Sequence, residues 1–245
     1  MGDLLTPLLA ALAAGVLFTR GFAAVRRRGA GHEAGWDRAA LFAAGLLAGV
    51  LGLVLFHEAA SERASAHMVQ HVLVGDLAPA LLLVALRGAL FQAVVPAPLR
   101  RLATRLRPGP SLAAWAVLLW FWHVPAVYDR ALSFEALHVG QHASFLLGGL
   151  LLWNQLVDPA GMRRLSLWGS LGYALAAMMG AQALVAVLVL SYRPLYAYGS
   201  ASDQSLAGLV MTLEQFATLG AFAFFRLRAH FRAPLSLSDE HPLRA

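Results

Sequence analysis

The feature that most constrains this 245-residue chain is a series of seven apolar segments, each close to the length that spans a bilayer. A transmembrane helix needs about 20 consecutive, mainly apolar residues. The segments are residues 4–20, 38–57, 67–86, 111–127, 138–154, 167–190 and 205–225. Hydrophobic residues make up 59% of the chain and charged residues 13%, which departs from ordinary soluble domains. We therefore predict an all-α, polytopic membrane protein with seven transmembrane helices.

The distribution of arginine predicts how these helices are oriented. All 19 basic residues are arginines, and 16 of them lie in the loops or tail that follow the first, third, fifth and seventh segments. Only Arg63, Arg130 and Arg193 lie in the other loops. Because basic residues concentrate on the cytoplasmic side, we predict an N-terminus outside and a cytoplasmic C-terminus. We also predict one transmembrane domain over 1–232 and a short cytoplasmic tail over 233–245. The charge is spread over separate juxtamembrane loops, so we expect a lipid bilayer and no nucleic acid as the partner of these arginines.

Two histidine pairs stand at the openings of separate apolar segments: His67 with His71, and His138 with His142. Residues four apart lie on one face of a helix, so each pair directs two imidazoles the same way. His123 closes the fourth segment and adds a fifth imidazole on the same predicted side of the membrane. The chain has no cysteine, so any metal must be held by nitrogen, oxygen or methionine sulfur. The pattern predicts a transition-metal site formed by these five histidines at the outer membrane face.

Five further residues are candidates for an accessory role at this site. Asp76 and Glu214 fall inside apolar segments, where ionisable groups are costly and often functional. A polar cluster that only holds helices together is an equally good interpretation of them. His57 and Asp203 lie on the outer side. Met211 could offer a soft sulfur ligand, although methionine in an apolar helix usually serves packing.

Four blocks of sequence, in this order, are similar to the motifs of a known family. They are His67-Met-Val-Gln-His71-Val-Leu with Ala78-Pro79; Trp120-Phe121-Trp122-His123-Val-Pro125 with Tyr128; Leu137-His138 through His142-Ala-Ser-Phe145 to Trp153; and Asp203-Gln204 with Ala207-Gly208 and Met211. On these motifs, between about residues 40 and 225, the chain resembles the CtaG family of seven-helix cytochrome c oxidase assembly factors, first associated with caa-type oxidases.

The resemblance implies a role in maturing the oxidase in the cytoplasmic (inner) membrane of a bacterium. It implies a copper ion as cargo and a cytochrome c oxidase subunit as partner, and it leads us to expect no enzyme activity. Two other functions stay open from the residues. A zinc-dependent membrane hydrolase would use three of the histidines and a carboxylate general base. A haem-binding electron carrier would use two histidines as axial ligands.

Overall fold

In the computed structural model, the described residues, which are 5–54, 60, 62–197 and 199–232, are mainly helical and include no strand. We number the helices α1 (Leu5–Arg27), α2 (Trp36–Val54), α3 (Ala64–Ala85), α4 (Ala89–Val94), α5 (Ala97–Arg105), α6 (Pro108–Trp122), α7 (Pro125–Ser133), α8 (Glu135–Val157), α9 (Leu167–Leu190) and α10 (Ala201–Arg232). The all-α prediction is therefore confirmed for the described part of the chain.

Five of these helices, α1, α2, α3, α9 and α10, are long and apolar enough to cross a membrane. The helices α6 and α7 together qualify as a sixth, bent candidate. The described residues thus contain five or six candidate spans rather than the seven predicted. The segment predicted at 138–154 lies in α8, which has 23 residues but is not among these candidates. Its first half carries His138, Gln141 and His142, which make it more polar.

The prediction of one continuous helix over 111–127 is wrong. Helix α6 ends at Trp122, and α7 begins at Pro125 after a bend of 73°. Proline has no backbone N–H and disfavours helical geometry in the residue before it. Val124 is accordingly extended, with φ −63° and ψ 123°. The bend places His123 at the break between the two helices.

Helices α3 and α8 cross at very short distance. A Cβ built on Gly149 of α8 would lie 1.9 Å from the carbonyl oxygen of Gly75 in α3 and 2.8 Å from Cγ of Pro79. Only glycine allows two backbones to approach this closely. The crossing fixes the relative position of the two helices that carry the histidine pairs.

Candidate metal centre

The two histidine pairs occupy equivalent places in α3 and α8. His67 and His71 are the fourth and eighth residues of α3, and His138 and His142 are the fourth and eighth residues of α8. Both pairs therefore lie at the same depth from their helix starts and on one face of each helix. Because the helices are neighbours, the four rings meet between them.

Three of the imidazoles form the tightest group. One nitrogen from each of His67, His138 and His142 lies within 4.8 Å of the other two. We refer to these three side chains as the imidazole triad. Ring centroids are 5.1 Å apart for His67 and His138 and 4.5 Å apart for His138 and His142. Three imidazoles around one ion, with bonds of about 2 Å, need nitrogens separated by roughly 3–3.5 Å. The observed limit of 4.8 Å exceeds these separations by about 1.5 Å.

His71 adjoins the triad through His67. The Nε2 atoms of His67 and His71 are 2.7 Å apart, and Oε1 of Gln141 lies 3.2 Å from His67 Nε2. Two ring nitrogens at this distance form a hydrogen bond, in which one ring carries the proton and the other accepts it. Nδ1 of His67 and Nδ1 of His71 are buried, with no hydrogen-bond partner among the described residues. Buried imidazole nitrogens without a partner are expected at a ligand site.

His123 lies beside His71 and not in the triad. Its ring centroid is 6.2 Å from that of His71. Nδ1 of His123 donates to the carbonyl oxygen of Leu119 at 2.7 Å. A carbonyl only accepts, so Nε2 of His123 carries the lone pair, and this buried atom has no partner in the described part of the chain.

A tyrosine pair supports the bend that presents His123. The hydroxyl of Tyr196 donates to the backbone carbonyl of His123 at 3.3 Å, and its ring stacks on Tyr128 at a centroid distance of 4.0 Å. Burial raises the pKa of Tyr196, and the charge of Asp129 raises it further. The hydroxyl therefore stays protonated and remains a donor at neutral pH.

Burial differs across the cluster in a way that defines an access side. His67 is fully buried, and His71, His123 and His142 are at most 7% exposed. His138 is only half-buried. An ion bound in the cluster would therefore lie in a largely dry environment, where its charge needs compensation. Because His138 is the least buried of these side chains, the ion would be reached from the side of His138.

Asp203 occupies a capping position at the start of α3. Its carboxylate accepts hydrogen bonds from the backbone N–H of Ala64 at 2.6 Å and of Ser65 at 3.4 Å, and also from the Ser65 hydroxyl. The first N–H groups of a helix have no partner within the helix, and a negative charge there is favourable. Asp203 thereby positions the helix that carries His67 and His71.

Asp76 and Glu214 come together deeper in the bundle. The hydroxyl oxygen of Thr218 is 2.8 Å from Asp76 Oδ2 and 2.9 Å from Glu214 Oε1. The indole N–H of Trp153 donates to Asp76 Oδ1. Met211 is buried one turn before Glu214 on α10. The last accessory candidate, His57, lies outside the described residues.

A π-helical turn over Leu73–Leu77 explains how Asp76 faces the same region as His71. In an α-helix, five residues advance about 500°, which would place Asp76 roughly 140° around the helix from His71. A π-turn has more residues per turn and reduces this angle. Such turns are rare and are frequent at functional sites.

Two buried glutamines were missed as site residues. Gln70 and Gln141 are at most 1% exposed, and Gln141 contacts His67. Both histidine pairs have the same pattern, in which glutamine immediately precedes the second histidine. This repetition in the sequence could have identified them.

The chain was compared with models of known protein families, with curated proteins and with solved structures. The family model described as cytochrome c oxidase caa3 assembly factor (Caa3_CtaG) matches residues 16–233, which is most of the chain. No curated protein and no solved structure matches the chain significantly. The earlier resemblance is confirmed, and the chain belongs to the Caa3_CtaG family of cytochrome c oxidase caa3 assembly factors.

Proposed function

We propose that this protein binds copper through its histidine cluster and supplies the ion to a cytochrome c oxidase subunit during assembly. The family supports the assembly role. The observation that carries copper binding is the imidazole triad, in which nitrogens from two helices lie within 4.8 Å of one another. Imidazole suits copper well, and divalent copper binds nitrogen ligands more tightly than the other first-row divalent ions.

We further propose that the protein has seven spans, with the pair α6–α7 as one bent span and α8 as another. The 23 residues of α8 extend roughly 34 Å, against a hydrocarbon core of about 30 Å. Its polar residues Gln141, His142 and Gln155 are buried, whereas Val139 and Leu147 are exposed. A helix with polar residues turned inward and apolar ones outward suits a lipid environment.

The arginine bias supports an N-terminus outside and a cytoplasmic C-terminus, in the cytoplasmic membrane of a bacterium. In this orientation the imidazole triad lies at the outer face. The spans would then form one domain over 1–232, and the predicted cytoplasmic tail, 233–245, lies outside the described residues.

A carrier must release its ion as well as bind it. The triad contains no thiolate, and His138 is half-buried, so a ligand of a docked oxidase subunit could approach the ion on that side. Transfer would then proceed by exchange of one imidazole at a time, with no catalytic step.

The cavity beside His71 and His123 is too small for the substrate of a zinc hydrolase that would use these two histidines. A cavity of about 60 Å³ touches His71 and His123. This holds a few waters or one ion, whereas pockets for organic ligands are typically about 300–1,000 Å³. A lipid or peptide substrate would not fit there.

Metal analysis by mass spectrometry tests the proposal directly. Detergent-purified protein is offered copper and zinc separately and is then freed of unbound metal. We compare the unaltered chain with the His138→Ala/His142→Ala variant and with His32→Ala, which removes an exposed histidine away from the cluster. We expect copper to remain bound in the unaltered chain and in His32→Ala, and to fall by at least one equivalent per chain in the double variant.

Two results would contradict copper carriage. Zinc retained in preference to copper would favour the hydrolase. Equal copper contents in all three proteins would show that the triad does not bind the ion.

A further inference from the structure

A cavity extends from the histidine cluster toward the middle of the bundle. It lies between α3, α6, α8 and α10 and has a volume of about 60 Å³. Six of its lining residues are histidines, methionines or carboxylic acids: Met68, His71, Asp76, His123, Met211 and Glu214. Neither His67, His138 nor His142 borders it. The cavity is therefore a different space from the imidazole triad.

Two imidazoles at this cavity have nitrogens that lack partners. Nε2 of His123 carries a lone pair, because Nδ1 donates to Leu119, and Nδ1 of His71 is buried without a hydrogen bond in the described chain. The two rings have centroids 6.2 Å apart. Two imidazoles that hold one ion from opposite sides, with bonds of about 2 Å, have centroids roughly 6 Å apart. The observed separation leaves room for one ion between the rings.

Two thioethers line the same space. Met68 from α3 and Met211 from α10 are each 3% exposed. Methionine sulfur is a soft ligand that selects monovalent copper, whereas the triad offers only imidazole. Met179, by contrast, is 61% exposed on α9 and does not border the cavity. The chain thus provides a matched methionine outside the cavity.

The Asp76–Glu214 pair closes the far side of the cavity. The single hydroxyl proton of Thr218 can be donated to only one of the two carboxyl oxygens it contacts. The arrangement is satisfied when the other carboxyl is protonated and donates to Thr218. The pair then carries one negative charge, which would balance one monovalent cation in a low-dielectric interior.

We infer that the protein has a second, deeper copper site, specific for Cu(I), formed by His71, His123, Met68 and Met211, with Asp76 and Glu214 as counter-charge. This inference rests on the proposed copper-carrying function. The 2.7 Å contact between His67 and His71 connects the deeper site to the triad. An ion can therefore pass between the two sites by exchanging one imidazole for its neighbour.

X-ray absorption at the copper edge, combined with copper quantification, tests the deeper site. The purified chain is loaded anaerobically with Cu(I) under reducing conditions. We compare it with Met68→Leu/Met211→Leu, with His138→Ala/His142→Ala and with Met179→Leu as control. Methionine-to-leucine changes nearly conserve volume, and gel filtration confirms that each variant is folded.

We expect two copper ions per unaltered chain, with sulfur among the ligands. The Met68→Leu/Met211→Leu variant should lose the sulfur signal and one of the two ions. The triad variant should keep one ion with sulfur ligation, and Met179→Leu should match the unaltered chain. One ion per unaltered chain, bound only by nitrogen, would refute the deeper site and leave the proposed function standing. Absence of copper from the unaltered chain would refute both.

Discussion

Replacing Gly149 with alanine should separate the two histidine-bearing helices without altering a histidine. The new Cβ would lie 1.9 Å from the Gly75 carbonyl oxygen, whereas ordinary contacts begin at 3.4 Å. That oxygen belongs to the backbone and cannot rotate away. Restoring an ordinary contact requires α3 and α8 to move apart locally by about 1.5 Å, the difference between the two distances.

The cost of this movement follows from the contacts it disturbs. Overpacking in a tight interior typically costs about 1–3 kcal/mol. A gap of about 0.5–1 Å also forfeits a quarter to a half of each dispersion contact across the helix pair. We therefore expect a loss of at least about 2 kcal/mol in stability, equivalent to roughly 4–8 °C in Tm for a chain of this size. Metal–ligand distances tolerate about 0.2 Å, so copper affinity should fall at least about tenfold.

Gly148 provides the matched control one residue away. A Cβ there would meet Leu118 at 3.5 Å and Trp115 at 3.6 Å, which are ordinary contacts. Gly148→Ala should leave stability unchanged or raise it by about 0.5–1 kcal/mol, because alanine favours the helix. Thermal unfolding in detergent, followed by circular dichroism, and a copper competition titration would measure both effects. Equal Tm and equal copper affinity for the two variants would refute the proposed coupling between the helix crossing and the metal site.

Two further predictions concern the capping of α3 and the membrane orientation. Asp203→Ala should lower the free energy of unfolding by about 1–2 kcal/mol, because the N–H groups of Ala64 and Ser65 lose their acceptor. Ser202→Ala, at an exposed neighbouring position, should have no effect in the same thermal unfolding experiment. An unchanged Tm for Asp203→Ala would exclude the capping role. Because the chain contains no cysteine, a single introduced cysteine is the only thiol that a maleimide can label. Ser202→Cys should react with a membrane-impermeant maleimide in intact cells, and Gly31→Cys should react only after permeabilisation. The reverse pattern would contradict the orientation with the N-terminus outside.

The histidine cluster could be predicted because its information is local. Spacing of four residues places His67 with His71, and His138 with His142, whatever surrounds each helix. Both pairs lie near the start of their helices, so the four rings come together if α3 and α8 are neighbours. Helical class could likewise be predicted from apolar segments of the length of a span.

The division of the cluster could not be predicted, because it depends on tertiary contacts. Nothing in the spacing indicates that His123 pairs with His71 and lies apart from the triad, since its place follows from the 73° bend at Pro125. The meeting of Asp76 with Glu214 depends on a π-turn that local propensities do not specify. Asp203, which caps α3, is separated in sequence from Ala64 by 139 positions and from Ser65 by 138 positions. A contact over such a separation leaves no local pattern in the sequence.

If the protein carries copper as proposed, the arrangement along α3 would reconcile two demands on such a carrier, tight retention and ready release. Within ten residues this helix presents His67 to the triad, Met68 and His71 to the cavity, and Asp76 to the carboxyl pair. An ion held by neutral imidazoles alone keeps an unbalanced charge in a buried setting, which weakens its binding. One step deeper, sulfur ligands and a counter-charge would stabilise it. Passage from the deeper site back to the triad would therefore be the energetically uphill step, and a docked acceptor that takes the ion from the triad would draw that step forward by mass action.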